Sequence, residues 1–457
     1  LFGIRGRMGY NPIKVSQAYY CEDPFLNQLG VNPVFNLLTS TLDDNRKENR
    51  TLHLMSEEDA LSKVQKYLHR QGIDRLSPIA RKVEREGTPN RRNVVLVFME
   101  SMSANLMGTF GSDKKLTPYL DSLYQQSLSF SHFYSSGIHT NHGIYSTLYS
   151  FPAIMKRNAM KGSVIPVYSG LPTVLQENGY CNLFFMTHES QYDNMNAFLR
   201  TNGFDEIYAQ ENYPSEKVVN SFGVQDDFMY QYALPILNER AGTGNPFFSV
   251  LLSISNHPPY VIPPYFHPHS DVLEEQIVEY ADWSIRQFMQ AAEKQPWFDN
   301  TIFVFLGDHG KMVGTPECEM PQSYNHIPLM IYGKDIKPGV YDGFGGQVDV
   351  SPTLLGLLNI SYLQNNFGVN LLEEERPCMF FTADNLIGAR DSVNMFIYSP
   401  DSQQEFKYKL EEGKLHAATG TDEEAFRNLK DYCFSMLQST ESLVKEHKTL
   451  DKVSVKK

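Results

Sequence analysis

Short apolar runs rich in β-branched residues alternate with amphipathic stretches along the chain from Asn93 onward. The run VVLVFM, residues 94–99, has the continuous apolar pattern of a strand that is buried on both faces of a sheet. Further strand candidates are SLSFSHFY (127–134), LFFM (183–186), FFSVLL (247–252), TIFVFL (301–306) and PLMIY (328–332). Because strand and helix patterns alternate, we predict an α/β fold with a mostly parallel central sheet flanked by helices.

Two segments between these strands carry helix patterns. In LTPYLDSLYQQSL, residues 116–128, Thr117 is a candidate N-cap and Pro118 occupies the first helical position. The segment 277–294 repeats its apolar residues with the period of a helix. The residues predicted on its buried face are Ile277, Ala281, Ile285, Phe288 and Ala292.

The pattern divides the chain into four parts. Residues 1–90 combine amphipathic stretches with polar linkers, which predicts a helical arm. Residues 91–375 contain the alternating strands and helices of the main domain. Residues 376–445 predict a smaller C-terminal subdomain of strands and a helix, and residues 446–457 predict a flexible tail.

Charge and composition limit the classes of function. The chain of 457 residues has a net charge of −13, which argues against nucleic-acid binding. No apolar run reaches the roughly 18 residues that span a bilayer. Because the chain begins with Leu1, we expect it to be a fragment or a processed form. A membrane segment that precedes Leu1 in a longer protein remains an alternative. Five scattered cysteines without a CxxC pair argue against a zinc site with cysteine ligands.

Residues able to bind a metal follow two of the predicted strands. Glu100 comes directly after the run 94–99, and Asp308 and His309 follow the run 301–306 between two glycines. Each alone fits a cap or a turn equally well. Because the carboxyl ends of parallel strands meet at one sheet edge, these residues together predict a divalent-cation site.

Other polar residues follow the remaining strands, among them His188, Asp193 and His257. The stretch SSGIHTNHGIYST, residues 135–147, follows the strand candidate 127–134 and is rich in hydroxyls. It fits a solvated turn, or it supplies a hydroxyl that completes the metal site and becomes a nucleophile. Composition does not choose among the candidates Ser135, Ser136, Thr140, Ser146 and Thr147.

Many blocks in the same order resemble the alkaline phosphatase/sulfatase superfamily, and most closely its lipoteichoic acid synthase-like branch of phosphoglycerol and phosphoethanolamine transferases. The resemblance covers roughly residues 93–365. Its blocks include NVVLVFMES, LTPYLDSL, SFSHFYSSG, SNHPPY, EYADWSI, FLGDHG, NHIPLMIYG and QVDVSPTLLGLLNI. It implies a sulfatase-like catalytic domain at 91–375.

The resemblance also implies roles for individual residues. Glu100, Thr140, Asp308 and His309 correspond to the ligands of one divalent metal, with manganese expected and magnesium or zinc as alternatives. Thr140 corresponds to the nucleophile, and His257 corresponds to a histidine that contacts the substrate phosphoryl group.

The segment QYDNMNAF departs from the family pattern, which has Trp-Asn-Arg there. Met195 falls nearest to the expected arginine, so we expect His188, Asp193 and Asn194 to contact the substrate instead. His326 either faces the substrate or is a hydrogen-bonded residue behind the site.

The function implied by the resemblance is transfer of a phosphoglycerol or phosphoethanolamine head group. The donor would be a phospholipid and the acceptor a glycan or lipid hydroxyl, outside the bacterial cytoplasmic membrane to which the protein is anchored. A phosphodiesterase or sulfatase-type hydrolase is the alternative. The sulfatase version is weakened because the chain lacks a Cys or Ser followed by x-Pro-x-Arg. Binding of anionic lipid or glycan without turnover is a third hypothesis.

Overall fold

The computed structural model describes residues 14–21, 24–44, 51–73, 75–162, 164–411, 413–418 and 423–452. The strands are Arg81–Val83 (β1), Asn93–Met99 (β2), Leu128–Tyr134 (β3), Cys181–Met186 (β4), Glu206–Tyr208 (β5), Phe247–Leu252 (β6), Thr301–Gly307 (β7), Leu329–Tyr332 (β8), Gly339–Gly346 (β9), Tyr362–Gln364 (β10), Met379–Thr382 (β11), Ile387–Arg390 (β12), Asn394–Ser399 (β13), Gln404–Glu411 (β14) and Lys414–Ala417 (β15).

The helices complete the architecture. They are Pro24–Leu29 (α1), Pro33–Asp44 (α2), Glu57–Tyr67 (α3), Pro118–Gln126 (α4), Thr140–Tyr149 (α5), Leu171–Glu177 (α6), Met195–Thr201 (α7), Asp226–Ala241 (α8), Leu273–Ala292 (α9), Gln322–Asn325 (α10), Val350–Leu357 (α11) and Glu423–Lys445 (α12). Short 3₁₀ helices are Val15–Ala18, Ala104–Leu106, Gly108–Phe110, Tyr192–Asn194, Gln210–Asn212, Ser215–Lys217, Phe298–Asn300 and Gln347–Asp349.

An eight-stranded sheet in the order β5-β4-β6-β2-β7-β8-β3-β9 forms the centre of the fold. Its neighbouring strands are parallel except at β8, which runs antiparallel to both β7 and β3. The predicted α/β fold with a mostly parallel sheet is therefore confirmed. Since β3 runs in the same direction as β2 and β7, the carboxyl ends of all three strands lie at one edge.

The burial of β2 explains its continuous apolar run. Its neighbours β6 and β7 are both parallel to it. Val94, Leu96 and Phe98 join the apolar core on one face of the sheet, whereas Val95 and Val97 join the core on the other face. Alternate side chains of a strand point to opposite faces, so a central strand covered by helices on both sides needs apolar residues throughout.

Both predicted helices form, but Thr117 does not cap the first of them as predicted. The predicted apolar face of α9 is buried. Thr117 precedes α4, yet its hydroxyl caps no backbone N–H and donates instead to Asp121 Oδ2 at 3.1 Å. The carboxylate of Asp282 on α9 accepts from the N–H groups of Tyr119 and Leu120 at 3.0 and 2.8 Å. A helix packed against α4 thus satisfies its first donors.

Strands β11–β15 form a separate antiparallel sheet at the C-terminal end, and α12 packs against it. Within the predicted flexible tail, residues 446–452 are instead held against the main domain. Thr449 donates its hydroxyl to the Val167 carbonyl at 2.7 Å, and Ser169 donates to Asp451 at 2.7 Å. Residues 453–457 lie outside the described residues, and the predicted domain boundaries stay predictions.

In the described part of the predicted arm, α1, α2 and α3 are helical. Helix α3 packs against α12, and Lys63 pairs with Asp431 at 2.5 Å. Arg81–Val83, in the same region, form strand β1 and are not helical, and residues 1–13, 22–23, 45–50 and 74 lie outside the described residues. Among the residues that the structure describes, no helix is both long and apolar enough to cross a membrane.

A buried ion pair joins Asp349, which follows β9, to Arg376, which precedes β11. Arg376 donates through Nε and Nη2 to both carboxylate oxygens of Asp349, at 2.6–2.9 Å. We expect Asp349→Asn to lower the free energy of unfolding by about 3 kcal/mol or more, because it leaves the Arg376 charge buried without its counter-ion. Urea unfolding followed by circular dichroism measures this effect.

The exposed pair of Lys334 and Asp299 provides the matched control. Asp299→Asn should change the free energy of unfolding by less than about 1 kcal/mol, since water screens that pair. Equal effects of the two substitutions would contradict the structural role assigned to Asp349.

Candidate active site

Glu100, Asp308 and His309 meet where β2 and β7 end. Each offers one ligand atom, and these atoms all lie within 4.8 Å of one another. The parallel register aligns Met99 with Gly307, so the residues that follow the two strands are neighbours. The cluster that the sequence predicts from strand ends is therefore present.

Hydrogen bonds to backbone groups hold the side chains of Asp308 and His309 in place. Asp308 Oδ1 accepts from the N–H groups of Ser101 and His309 at 2.8 and 2.7 Å, whereas its buried Oδ2 has no hydrogen-bond partner in the described structure. Nδ1 of His309 lies 2.8 Å from the Gly310 carbonyl. In the neutral ring, Nδ1 then donates to that carbonyl, and Nε2 keeps a lone pair for a metal. His309 Nε2 lies 3.5 Å from Asp308 Oδ2 and 3.8 Å from Glu100 Oε1.

This arrangement fits a divalent cation. Glu100 and Asp308 are both buried. Burial and the nearby Asp308 charge raise the pKa of Glu100 well above its usual range. Two buried carboxylates and an imidazole nitrogen are the donors expected for manganese, magnesium or zinc, and a cation would partner the Asp308 oxygen that lacks a hydrogen bond.

Thr140 begins α5, and its hydroxyl donates to Glu100 Oε2 at 3.4 Å. The close approach of α5 depends on Gly143, because a Cβ there would clash with the Asp308 carbonyl oxygen. The stretch 135–147 is therefore not a solvated turn.

The other four candidate hydroxyls are buried, and three of them have hydrogen-bond partners outside the cluster. Ser135 donates to the Gly137 carbonyl and Ser146 to the Phe151 carbonyl, at 2.9 and 2.8 Å. The Ser136 hydroxyl accepts from the Ala153 N–H at 2.6 Å. Thr147 has no hydrogen-bond partner for its hydroxyl in the described structure.

A row of rings links His188 to His257. Their neighbours are Tyr192 and Phe222, with centroid distances of 4.7 Å for His188–Tyr192, 6.0 Å for Tyr192–Phe222 and 4.2 Å for Phe222–His257. Burial raises the pKa of Tyr192 to about 12, and the charges of Asp193, Glu100 and Asp308 add to the shift.

The two histidines of this row differ in exposure. Nδ1 of His188 lies 3.0 Å from the Glu189 carbonyl, and burial lowers the pKa of His188 to about 4. His257 is partly exposed, and its Nδ1 lies 2.6 Å from the Pro258 carbonyl.

Asp193 and Asn194 lie between the end of β4 and α7, both with positive φ. Asp193 Oδ2 accepts from Asn141 Nδ2 at 3.0 Å, so it supports the residue next to Thr140. Asn194 donates to the Met160 carbonyl at 2.8 Å. Their contacts hold the loops around Thr140 together, and a direct role in substrate binding stays a prediction.

The contacts of His326 are those of a packing residue. Its Nε2 lies 2.9 Å from the Ser131 carbonyl, and its ring stacks on Tyr134 with 5.2 Å between centroids. Phe110 meets the ring edge-on at 5.2 Å. Burial lowers the pKa of His326 to about 4.

Sequence reasoning missed three residues that support the cluster. Asn256 donates to the carbonyls of Glu100 and Ser101 at 3.1 and 3.2 Å, and Lys311 Nζ donates to Asn256 Oδ1 at 2.6 Å. Gln347 donates to the Asp308 carbonyl at 2.7 Å and accepts from the Ser136 N–H at 3.0 Å. Asn256 and Gln347 lie inside sequence blocks that carried the resemblance, and Lys311 directly follows the block FLGDHG. Their place in or beside these blocks was the signal that could have found them.

A protein-family model described as Sulfatase matches residues 92–360, which is more than half of the chain. The chain belongs to the sulfatase family. The matched residues include Glu100, Thr140, Asp308 and His309. The resemblance inferred from the sequence blocks is thereby confirmed.

One curated relative of this sulfatase-family chain is the Lipoteichoic acid synthase-like YvgJ of Bacillus subtilis (strain 168). It is 25% identical over 362 residues, which cover 72% of this chain and 56% of that protein. The chain therefore spans little more than half the length of this relative.

Two crystal structures share the sulfatase-family architecture of this chain. A protein of the alkaline phosphatase superfamily from Vibrio parahaemolyticus has a TM-score of 0.78 and 26% identity, with 86% of this chain and 97% of that chain covered. The lipoteichoic acid synthase LtaP from Listeria monocytogenes has a TM-score of 0.66 and 21% identity, with 84% and 98% covered. The second likeness concerns the fold alone.

Proposed function

We propose that this chain is the catalytic domain of a metal-dependent phosphotransferase. It would move a phosphoglycerol or phosphoethanolamine head group from a phospholipid to a glycan or lipid hydroxyl. The observation that carries the proposal is the 3.4 Å hydrogen bond from the Thr140 hydroxyl to Glu100, within the cluster of Glu100, Asp308 and His309. The similarity to a lipoteichoic acid synthase-like protein supports the choice of a lipid head group.

Glu100, Thr140, Asp308 and His309 would hold one divalent cation, with manganese as our choice and magnesium or zinc as alternatives. When bound, the cation lowers the pKa of a hydroxyl and neutralises charge on phosphoryl oxygens. The protein contributes the buried carboxylates that bind it and the helix start that positions Thr140.

The reaction proceeds by two displacements at phosphorus. Thr140 Oγ1 gives its proton to water and forms a bond to the phosphorus of the donor while the bond to the diacylglycerol oxygen breaks. His257 supplies the proton that the departing alcohol takes up. The acceptor hydroxyl then attacks the phosphodiester on Thr140 and transfers its proton to His257, and the Thr140 oxygen leaves without a proton, ready for the next attack.

Product analysis tests this proposal. The domain is loaded with manganese and incubated with a phosphatidylglycerol or phosphatidylethanolamine analogue, with and without a sugar or glycerol acceptor. We expect diacylglycerol and a head-group phosphodiester of the acceptor. Free head-group phosphate formed at the same rate in both cases would favour a hydrolase of the same family. No product in either case would favour binding without turnover.

The proposed location follows from the same relatives. We propose that the domain lies outside the bacterial cytoplasmic membrane and that a longer protein anchors it there. Labelling of intact cells with a membrane-impermeant reagent, compared with lysed cells, distinguishes this location from an internal one.

We expect His257→Ala to lower kcat by about 10²–10⁴-fold while the metal content stays unchanged, because His257 acts on the substrate. Elemental analysis and turnover measured on the same preparation separate the two effects. His267→Ala is the control, since His267 is exposed ten residues further on and should keep full activity. Loss of metal in His257→Ala would make this histidine a ligand.

A further inference from the structure

Helix α2 in the N-terminal arm exposes its apolar face. Val34, Leu38 and Leu42 are spaced by four residues and therefore share one face. Their exposed fractions are 66%, 59% and 69%, and Phe35 and Leu37 beside them are also exposed. Helices on the surface of a globular domain usually turn such a face toward the core.

Hydrogen bonds attach the arm to a loop beside the candidate active site. Asn196 donates to the carbonyls of Ser16 and Tyr19 at 3.2 and 2.8 Å. The Lys14 N–H donates to Gln191 Oε1 at 3.2 Å. Gln191 and Asn196 flank Asp193, which holds the residue next to Thr140. The arm that presents the apolar helix is therefore fixed to the loop that supports the nucleophile.

The first 50 residues of the arm, which include α1 and α2, differ in charge from the rest of the chain. Residues 1–50 contain six Lys or Arg and five Asp or Glu, a net charge of +1. The remaining residues contain 34 Lys or Arg and 48 Asp or Glu, a net charge of −14. An anionic lipid surface repels the body of the protein but not this arm, so the arm is the part suited to approach such a surface.

We propose that α2 lies in the interface of a phospholipid membrane and holds the active site close to its lipid donor. The inference rests on the proposed function, because that function supplies a reason for lipid contact. Amphipathic helices bind at membrane surfaces through an apolar face of this kind.

A second copy of the chain fits this face less well than a membrane does. Twelve residues of helix are about 18 Å long, which is short for the roughly 800 Å² per partner that a stable dimer buries. The exposed positions on this face are aliphatic residues and one phenylalanine, without the Trp, Tyr or Arg that dominate protein interfaces.

Sedimentation with vesicles of phosphatidylglycerol and phosphatidylethanolamine tests the proposal on the whole 457-residue chain. We expect the wild-type chain to sediment with the vesicles. The double substitution Leu38→Glu with Leu42→Glu should weaken this binding by about 10-fold or more, since each charge must enter the apolar boundary. The variant should fold because both positions are exposed.

The matched control is Val340→Glu with Val393→Glu, which adds the same charge at positions that are 57% and 48% exposed. This control should bind vesicles like the wild-type chain. Absence of wild-type binding, or equal loss in both double variants, would overturn the proposal. It would also fail if Leu38→Glu with Leu42→Glu turned a dimer into a monomer without affecting vesicle binding.

A second readout separates this inference from the proposed function. Transfer from a dispersed, short-chain donor should be unchanged in the α2 variant, whereas transfer from vesicle-borne donor should fall with binding. Vesicle binding by a chain that transfers no head group from either donor would reject the proposed function and leave the membrane contact standing.

Discussion

Replacing Thr140 by valine is expected to lower kcat for head-group transfer by about 10³-fold or more, because the attacking oxygen is removed. Valine has nearly the shape of threonine, so α5 should keep its position. The metal site should remain but bind more weakly, since one of its four oxygen or nitrogen donors is lost. Turnover, metal content and circular dichroism of the same preparation check the three expectations.

Thr147→Val is the matched control, because Thr147 lies on the same helix and its buried hydroxyl has no hydrogen-bond partner in the described structure. It should retain close to wild-type activity. Equal losses in the two variants would show that any hydroxyl-to-methyl change in α5 disturbs the site.

The covalent step gives a direct readout of the same assignment. Wild-type protein incubated with the donor analogue, quenched with acid and digested should give a peptide containing Thr140 with the head-group phosphate mass added. Thr140→Val should give no such peptide. An adduct on Ser135 or Ser136 would move the nucleophile and refute the proposed mechanism.

Asp308→Asn is expected to remove the bound cation and nearly all activity, because one of two buried carboxylates loses its charge. Its effect on stability should depend on metal. In the presence of manganese the wild-type protein should be more stable than the variant, since binding to the folded state raises the free energy of unfolding.

After chelation, the order of stability should reverse or the difference should vanish. The wild-type protein then has Glu100 and Asp308 buried close together without a cation, whereas the variant has only one carboxylate there. Asparagine Oδ1 can still accept the N–H bonds from Ser101 and His309, so the backbone should stay in place. Thermal unfolding with and without manganese measures both differences.

Asp282→Asn controls for loss of a buried carboxylate in general. Asp282 caps α4 and is not part of the cluster. This variant should keep its metal content and its response to manganese. A wild-type melting temperature that manganese does not change would contradict the metal site, as would normal metal content in Asp308→Asn.

The sequence by itself determined the sheet and the two strand ends that carry the cluster. The period of apolar residues is a local property, and a strand buried on both faces, such as Asn93–Met99, shows it without reference to the rest of the chain. Because parallel strands end at one edge, Glu100, Asp308 and His309 could be brought together from sequence order alone. The resemblance then added Thr140.

Only the tertiary structure showed that the Thr140 hydroxyl, which the resemblance implied, contacts Glu100, and which residues support it. Ser135, Ser136 and Thr140 all carry a hydroxyl within six residues of one another, but the direction of each depends on how β3 and α5 pack against the end of β7. The contacts of Asn256 and Gln347 join residues more than 30 positions apart in the chain, so no local pattern encodes them.

The cap of α4 shows the same limit. Thr117 has the residue type of an N-cap, but Asp282, more than 150 positions away, accepts the N–H bonds at the start of the helix. Local propensity sets where a helix can begin, whereas the partner of each buried donor is set by which chain segments meet in space. For this protein, periodicity therefore determined the layers of the fold, and packing determined the contacts that surround Thr140.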